Sequence, residues 1–108
     1  MARSRPALTS EASKTAETSP LDTTHTGSDV VVKINRTTTD SGEYPITLVS
    51  YLIACQTYND AAVGTLVAGY AQYVTSADGQ QAAAATAKSA PMTGTLLAKA
   101  EAAAKTIK

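Results

Sequence analysis

The chain has 108 residues, no net formal charge and one cysteine, Cys55. Balanced charge argues against general nucleic-acid binding, which needs a basic face, and a lone cysteine excludes an intrachain disulfide. The apolar fraction of 44% is less greasy than it sounds: 21 of those residues are Ala, Phe and Trp are absent, and Leu, Ile and Val together number 18 of 108.

That aliphatic share lies below the roughly 20% at which a globular core becomes doubtful. Alanine burial at ~25 cal/mol per Å² stabilises little. Marginal stability in isolation is therefore expected. No stretch of 18 apolar residues exists, so no membrane span is expected. Arg3 and Arg5 are not followed by an apolar run, so no signal peptide is expected either.

Residues 1–28 are rich in Ser and Thr and read as a polar arm or one short helix. That helix spans about Thr9 to Thr18, carries Glu11, Lys14 and Glu17, is capped by Thr9 or Ser10, and is ended by Pro20. Asp29 to Asn35 reads as a strand, with Val30, Val32 and Ile34 on its more apolar side. The stretch Arg36 to Glu43 is polar, and Asp40-Ser41-Gly42 signals a turn. Asn35-Arg36-Thr37 matches a glycosylation triplet of a kind that occurs often by chance.

Tyr44 to Cys55 is the most informative run. Pro45 sits near its start, where a missing N–H is tolerated. Ile46, Leu48, Ser50, Leu52 and Ala54 lie on one side, and Thr47, Val49, Tyr51, Ile53 and Cys55 on the other. Neither side carries a charge, which is the pattern of a strand covered on both faces. The chain is short of the large side chains that two covering layers would need. Cys55, at the strand's end, is expected to be a small buried filler without a basic neighbour to activate it.

Three helices follow. Asn59 or Asp60 caps a helix from Ala61 to about Thr75, whose apolar stripe is Val63, Leu66, Val67, Tyr70 and Val74. Ser76 restarts a second, Ala-rich helix over about Ala77 to Lys88, with Asp78 and Lys88 placed to suit the helix dipole. Ser89-Ala90-Pro91-Met92 breaks it. Thr93 caps a last helix to Lys108, with Leu96, Ala100, Ala103 and Ile107 as its apolar face and Glu101–Lys105 as a favourable pair.

Catalytic material is sparse. His25 stands alone in a Thr-rich loop and reads as a solvated residue; no second His or Cys accompanies it to hold a metal. The carboxylates are scattered, with no spacing suited to acid/base work. The glycines are isolated, so no phosphate-cradling loop is present, and Gly64 and Gly69 read as close-packing positions inside a helix. The closing Ala/Lys-rich stretch reads as an ordinary packed helix. No enzyme activity, metal or cofactor is expected.

From Asp29 onward the chain resembles the C-terminal part of the phosphate-binding proteins that serve phosphate ABC transporters. Tyr44-Pro45-Ile46 opening an apolar strand looks like that family's Tyr/Trp-Pro-Ile/Leu strand start. The helix with Val67, Tyr70 and Tyr73, followed by Ser76-Ala77-Asp78-Gly79-Gln80, looks like the family's helix before a Gly-Gln pair. Ser89-Ala90-Pro91-Met92 is similar to its Ala-Pro loop, and Leu96 to Ile107 to its terminal helix. Leu8-Thr9-Ser10-Glu11, Lys14 and Gly27-Ser28-Asp29 look like the preceding helix and loop. The resemblance covers most of this chain but only about the last third of a family member.

The resemblance implies an α/β fold: the C-terminal part of a two-lobed, type II periplasmic-binding-protein fold, ordered strand–strand–helix–helix–helix. On this reading residues 29–108 complete one lobe that remains incomplete without the rest. It implies inorganic phosphate as ligand, an ABC transporter permease as partner, and a periplasmic or cell-surface location for full-length relatives. The family holds phosphate with backbone N–H groups at helix N-termini, hydroxyls, an Arg and an Asp. Its Ser-Gly-Thr motif, its Thr-Phe and its paired Arg and Asp have no match here, and Thr26-Gly27-Ser28 has the wrong order. The phosphate-binding residues of this chain are therefore unknown, and it is not expected to bind phosphate alone. The alternatives are a fragment of a binding protein for another oxyanion, or an autonomous small helical interaction module.

Overall fold

The structure, a computed structural model, describes residues 9–108. Arg3, Arg5 and Leu8, which entered the sequence reading, lie outside the described residues. Four helices follow one another: α1 (Thr9–Thr18), α2 (Ala61–Val74), α3 (Ala77–Ala87) and α4 (Gly94–Ala104). Packing runs through α4, which meets both α1 and α2, while α3 folds back against α2.

Local chemistry accounts for each helix boundary. Asp60 caps α2 by accepting from the Ala62 N–H, and Thr75 closes it. Ser76 caps α3 through the Gly79 N–H, and Lys88 ends it in the left-handed region at φ 59°. α1 spans Thr9–Thr18, and Pro20 follows just beyond its end. Ser10 lies inside α1 rather than capping it, with its hydroxyl donating to Glu11. Thr93 stands at the N-cap of α4, but its hydroxyl donates to Glu17 of α1 at 2.8 Å instead of capping its own helix.

The expected α/β fold is not what forms. Among the described residues there is no sheet. One isolated antiparallel bridge joins Leu21 and Val32, with Asp22 N–H donating to Val31 C=O and Lys33 N–H to Pro20 C=O, both at 2.8 Å. The expected strand Asp29 to Asn35 is reduced to that single contact. Tyr44 to Cys55 joins no strand ladder and is largely exposed: Ile46 is 76%, Leu48 89% and Ile53 92% accessible. The physical reason is arithmetic. A covered strand needs neighbours on both edges and layers on both faces, and this composition supplies neither.

The core is consequently small-residue and helical. Its buried apolar members are Val32, Ala68, Ala71, Leu96 and Ala104, joined by the buried polar residues Ser13, Thr15 and Ser19. α2 turns Gly64, Ala68 and Ala71 inward. Its expected apolar stripe is largely turned out instead: Val63, Leu66 and Tyr70 are exposed, together with Tyr73. Small side chains allow backbones to approach closely, and here that approach is taken by the C-terminus. Lys108 lies so near Gly64 that a Cβ there would collide with the Lys108 carbonyl carbon and stand 2.6 Å from its oxygen. Lys108 is fixed by donating to Gln56 C=O at 2.8 Å and accepting from Tyr58 N–H at 2.9 Å. Glu101 and Lys105 do not form the expected ion pair; among the described residues Lys14 pairs with Asp40, and His25 lies 3.5 Å from Asp29.

Gly64→Ala is expected to lower stability by about 1–3 kcal/mol through overpacking. Gly69→Ala, in the same helix with nothing within 4 Å of the added Cβ, is expected to raise it by about 0.5–1 kcal/mol. Urea unfolding of both variants followed by circular dichroism checks the pair, and equal effects would contradict the packing described.

Candidate functional site

The long connection between α1 and α2, residues 19–60, carries the site. Connections beyond about 12–15 residues without secondary structure are uncommon and are usually either functional or linker segments. This one is pinned at its first half and open in its second.

The pins come from α1. Thr15, fully buried, donates its hydroxyl to Glu11 C=O and accepts the Tyr44 N–H, each at 2.7 Å. Lys14 pairs with Asp40 at 3.1 Å, and Thr18 donates to Glu43 at 2.6 Å. Asp40 also turns the chain, accepting from the Gly42 N–H through its side chain and from the Glu43 N–H through its carbonyl. That is the turn expected at Asp40-Ser41-Gly42. Hydrogen bonding from the Gly42 N–H, then the bond to Lys14, holds the Asp40 carboxyl below its ordinary value. The hydroxyls of Thr18 and Thr38 do the same for Glu43.

Beyond Tyr44 the backbone lies open. Arg36 donates from one nitrogen to the carbonyls of both Pro45 and Thr47, at 2.9 and 2.7 Å. Both carbonyls reach the same guanidinium nitrogen, across a bend at Pro45 and Ile46. From Thr47 to Cys55 there is neither helix nor turn. Tyr51 alone ties the middle down, its hydroxyl accepting from the Val32 N–H at 3.0 Å. At the far end Cys55 N–H donates to the Tyr58 hydroxyl at 3.1 Å. Among the described residues, the backbone groups of Ile46, Leu48, Ser50, Leu52 and Ala54 have no partner, and all five residues are exposed. The arrangement is an uncharged, open stretch of main chain, and Val63, Leu66, Tyr70 and Tyr73 of α2 are exposed as well.

Conventional ligand chemistry finds no focus. His25 is exposed and sits 3.5 Å from Asp29, a contact that becomes an ion pair only when the imidazole is protonated. Cys55, expected to be buried, is exposed. No group of acidic, His or Cys residues among the described ones could hold a metal ion. The N-terminus of α4 is already occupied by the Glu17 carboxylate, which accepts from Thr95 N–H at 3.3 Å and from the Thr93 hydroxyl. No described helix is long and apolar enough to cross a membrane. Sequence reasoning found the open segment but assigned it to an interior. It read Gly64 and Gly69 as close-packing positions: Gly64 is one, against Lys108, whereas Gly69 is exposed, and the partners of Gly64 on the buried face, Ala68 and Ala71, were missed although their 4-then-3 spacing of small residues signals them.

No protein-family model, curated protein or solved structure matches the chain.

The pinned half generates a pH dependence. Asp40 and Glu43 titrate lower in the folded chain than their ordinary 3.8 and 4.5. Their contribution is complete above those ordinary values and is lost as pH falls through the depressed folded ones. The urea midpoint should hold from neutrality to about pH 5 and then drop. In an Asp40→Asn/Glu43→Gln variant it should start lower at neutral pH and drop less in acid. An unchanged acid limb in that variant would count against the latch.

Proposed function

We propose that the chain is a segment of a phosphate-binding protein that delivers inorganic phosphate to an ABC transporter permease, and that it lends Tyr44–Cys55 to the remainder of that protein. The motifs Tyr44-Pro45-Ile46, Gly79-Gln80 and Ala90-Pro91, in that order, support the family. The observation that carries the reading of a segment is the open backbone of Ile46, Leu48, Ser50, Leu52 and Ala54 with its exposed aliphatic side chains. Burying Ile46, Leu48, Ile53 and Leu66 at about 1.5–3 kcal/mol each amounts to ~6–12 kcal/mol gross. That range overlaps the 4–15 kcal/mol or more that association costs, so docking against a complementary surface is energetically feasible. Phosphate would be held by the remainder of the protein, outside the cell membrane. This chain contributes support and no catalysis.

The four-helix arrangement favours a second reading, a small helical interaction module that uses the same exposed surface on an unrelated partner. Calorimetry with inorganic phosphate separates the two. The chain alone should give no heat of binding. Combined with the N-terminal two-thirds of a phosphate-binding protein of this family, it should restore a saturable phosphate site that the N-terminal piece lacks by itself. Absence of recovery contradicts the phosphate reading and leaves the module.

A further inference from the structure

The two edges of the Tyr44–Cys55 segment are not equivalent. In an extended chain the N–H and C=O of one residue point to one edge and those of the next residue to the other. The edge formed by odd-numbered residues is blocked at both ends. Arg36 takes the carbonyls of Pro45 and Thr47, and Tyr58 takes the N–H of Cys55. The face bearing the odd side chains is also partly covered, with Thr47 and Val49 half-buried and Tyr51 bound to Val32. The edge formed by even-numbered residues begins just past Tyr44, whose carbonyl accepts from the Thr47 hydroxyl at 2.7 Å. From Ile46, which lies in the bend after Pro45, it runs free through Leu48, Ser50, Leu52 and Ala54, all with exposed side chains, and stops before Gln56, whose carbonyl accepts from the Lys108 N–H at 2.8 Å.

We propose that this even edge pairs, antiparallel and about a two-fold axis at Ser50, with the same edge of a second copy of the chain. Three observations select a second copy. First, the segment is nearly self-complementary about Ser50. Antiparallel pairing there sets Leu48 against Leu52 and Ser50 against Ser50 on one face, and Val49 against Tyr51 on the other. Apolar, hydroxyl–hydroxyl and aromatic–β-branched cross-strand pairs are the favourable ones. Second, no charged residue lies between Tyr44 and Asn59, and the whole chain has no net charge, so like-charge repulsion does not oppose two copies. Third, the edge lacks the usual devices against pairing: no lysine, no bulge, and its one proline, Pro45, belongs to the blocked edge. Pairing would form about ten backbone hydrogen bonds between two chains. The inference concerns the chain by itself: a second copy takes the edge that the remainder of a phosphate-binding protein would otherwise take, and the mass of the chain without ligand tests it separately from phosphate binding.

Disulfide trapping tests it. In a Cys55→Ser background, Ser50→Cys places two thiols across the axis at about 5.5 Å between Cα atoms, within disulfide reach. Leu48→Cys in the same background places its own two copies ~13 Å apart along the strands, out of reach. With oxidised glutathione, Ser50→Cys should cross-link at least tenfold faster than Leu48→Cys. A Leu48→Cys chain mixed with a Leu52→Cys chain should again cross-link rapidly. Ultracentrifugation of the unsubstituted chain should give a mass that rises toward twice the monomer with concentration. A monomer at every concentration overturns the proposal, and so does cross-linking that is indifferent to position.

Discussion

Backbone polar groups must be paired or wet, and that constraint organises this molecule. Over Ile46 to Ala54 the chain has no strand to pair with, so the N–H and C=O groups of Ile46, Leu48, Ser50, Leu52 and Ala54 stay in water. Without a ladder nothing holds this stretch against the core, and Ile46, Leu48 and Ile53 remain exposed. The exposure is a consequence of the missing ladder rather than of a polar sequence. It withholds from the core several of the largest aliphatic groups the chain owns.

What is left for the core, beside Val32 and Leu96, is alanine, glycine and short hydroxyl residues. These give backbone proximity more than apolar area. α2 turns Gly64, Ala68 and Ala71 inward, Ala104 of α4 is buried, and Lys108 comes close to Gly64. α1 joins through polar contacts, with Ser13 donating to Pro91 C=O at 2.6 Å and Glu17 reaching the first turn of α4. At that junction Gly94 has φ 57°, and any Cβ there would collide with the Glu17 carboxylate. The carboxylate complements the positive end of the helix. A body held this way leaves its uncharged edge available to whatever supplies the missing ladder.

The helices were legible because their signals are local. Ser76 and Asp60 as caps and the Pro91 break all act within a few residues of themselves, and the Thr9–Thr18 helix emerged with the expected bounds. The strands were not legible because their formation depends on partners that no local pattern guarantees. A run without charge on either face reads as an interior strand, yet an interior has to be built by other residues. The same logic misassigned Cys55 and the outward stripe of α2. An aliphatic face indicates what would gain from burial, whereas burial itself was claimed by the smaller Gly64/Ala68/Ala71 face. No functional side chain was missed for want of a motif, since the site is made of main chain.

Residue-resolved amide hydrogen exchange on dilute, monomeric protein probes the central claim most directly. The amides of Leu48, Ser50, Leu52 and Ala54 should exchange at nearly unstructured rates while those of Ala68 and Ala71 in α2 are protected. Slow exchange along Leu48–Ala54 in the monomer, matching the protection of α2, would mean that the segment has a partner inside its own chain and would contradict the account.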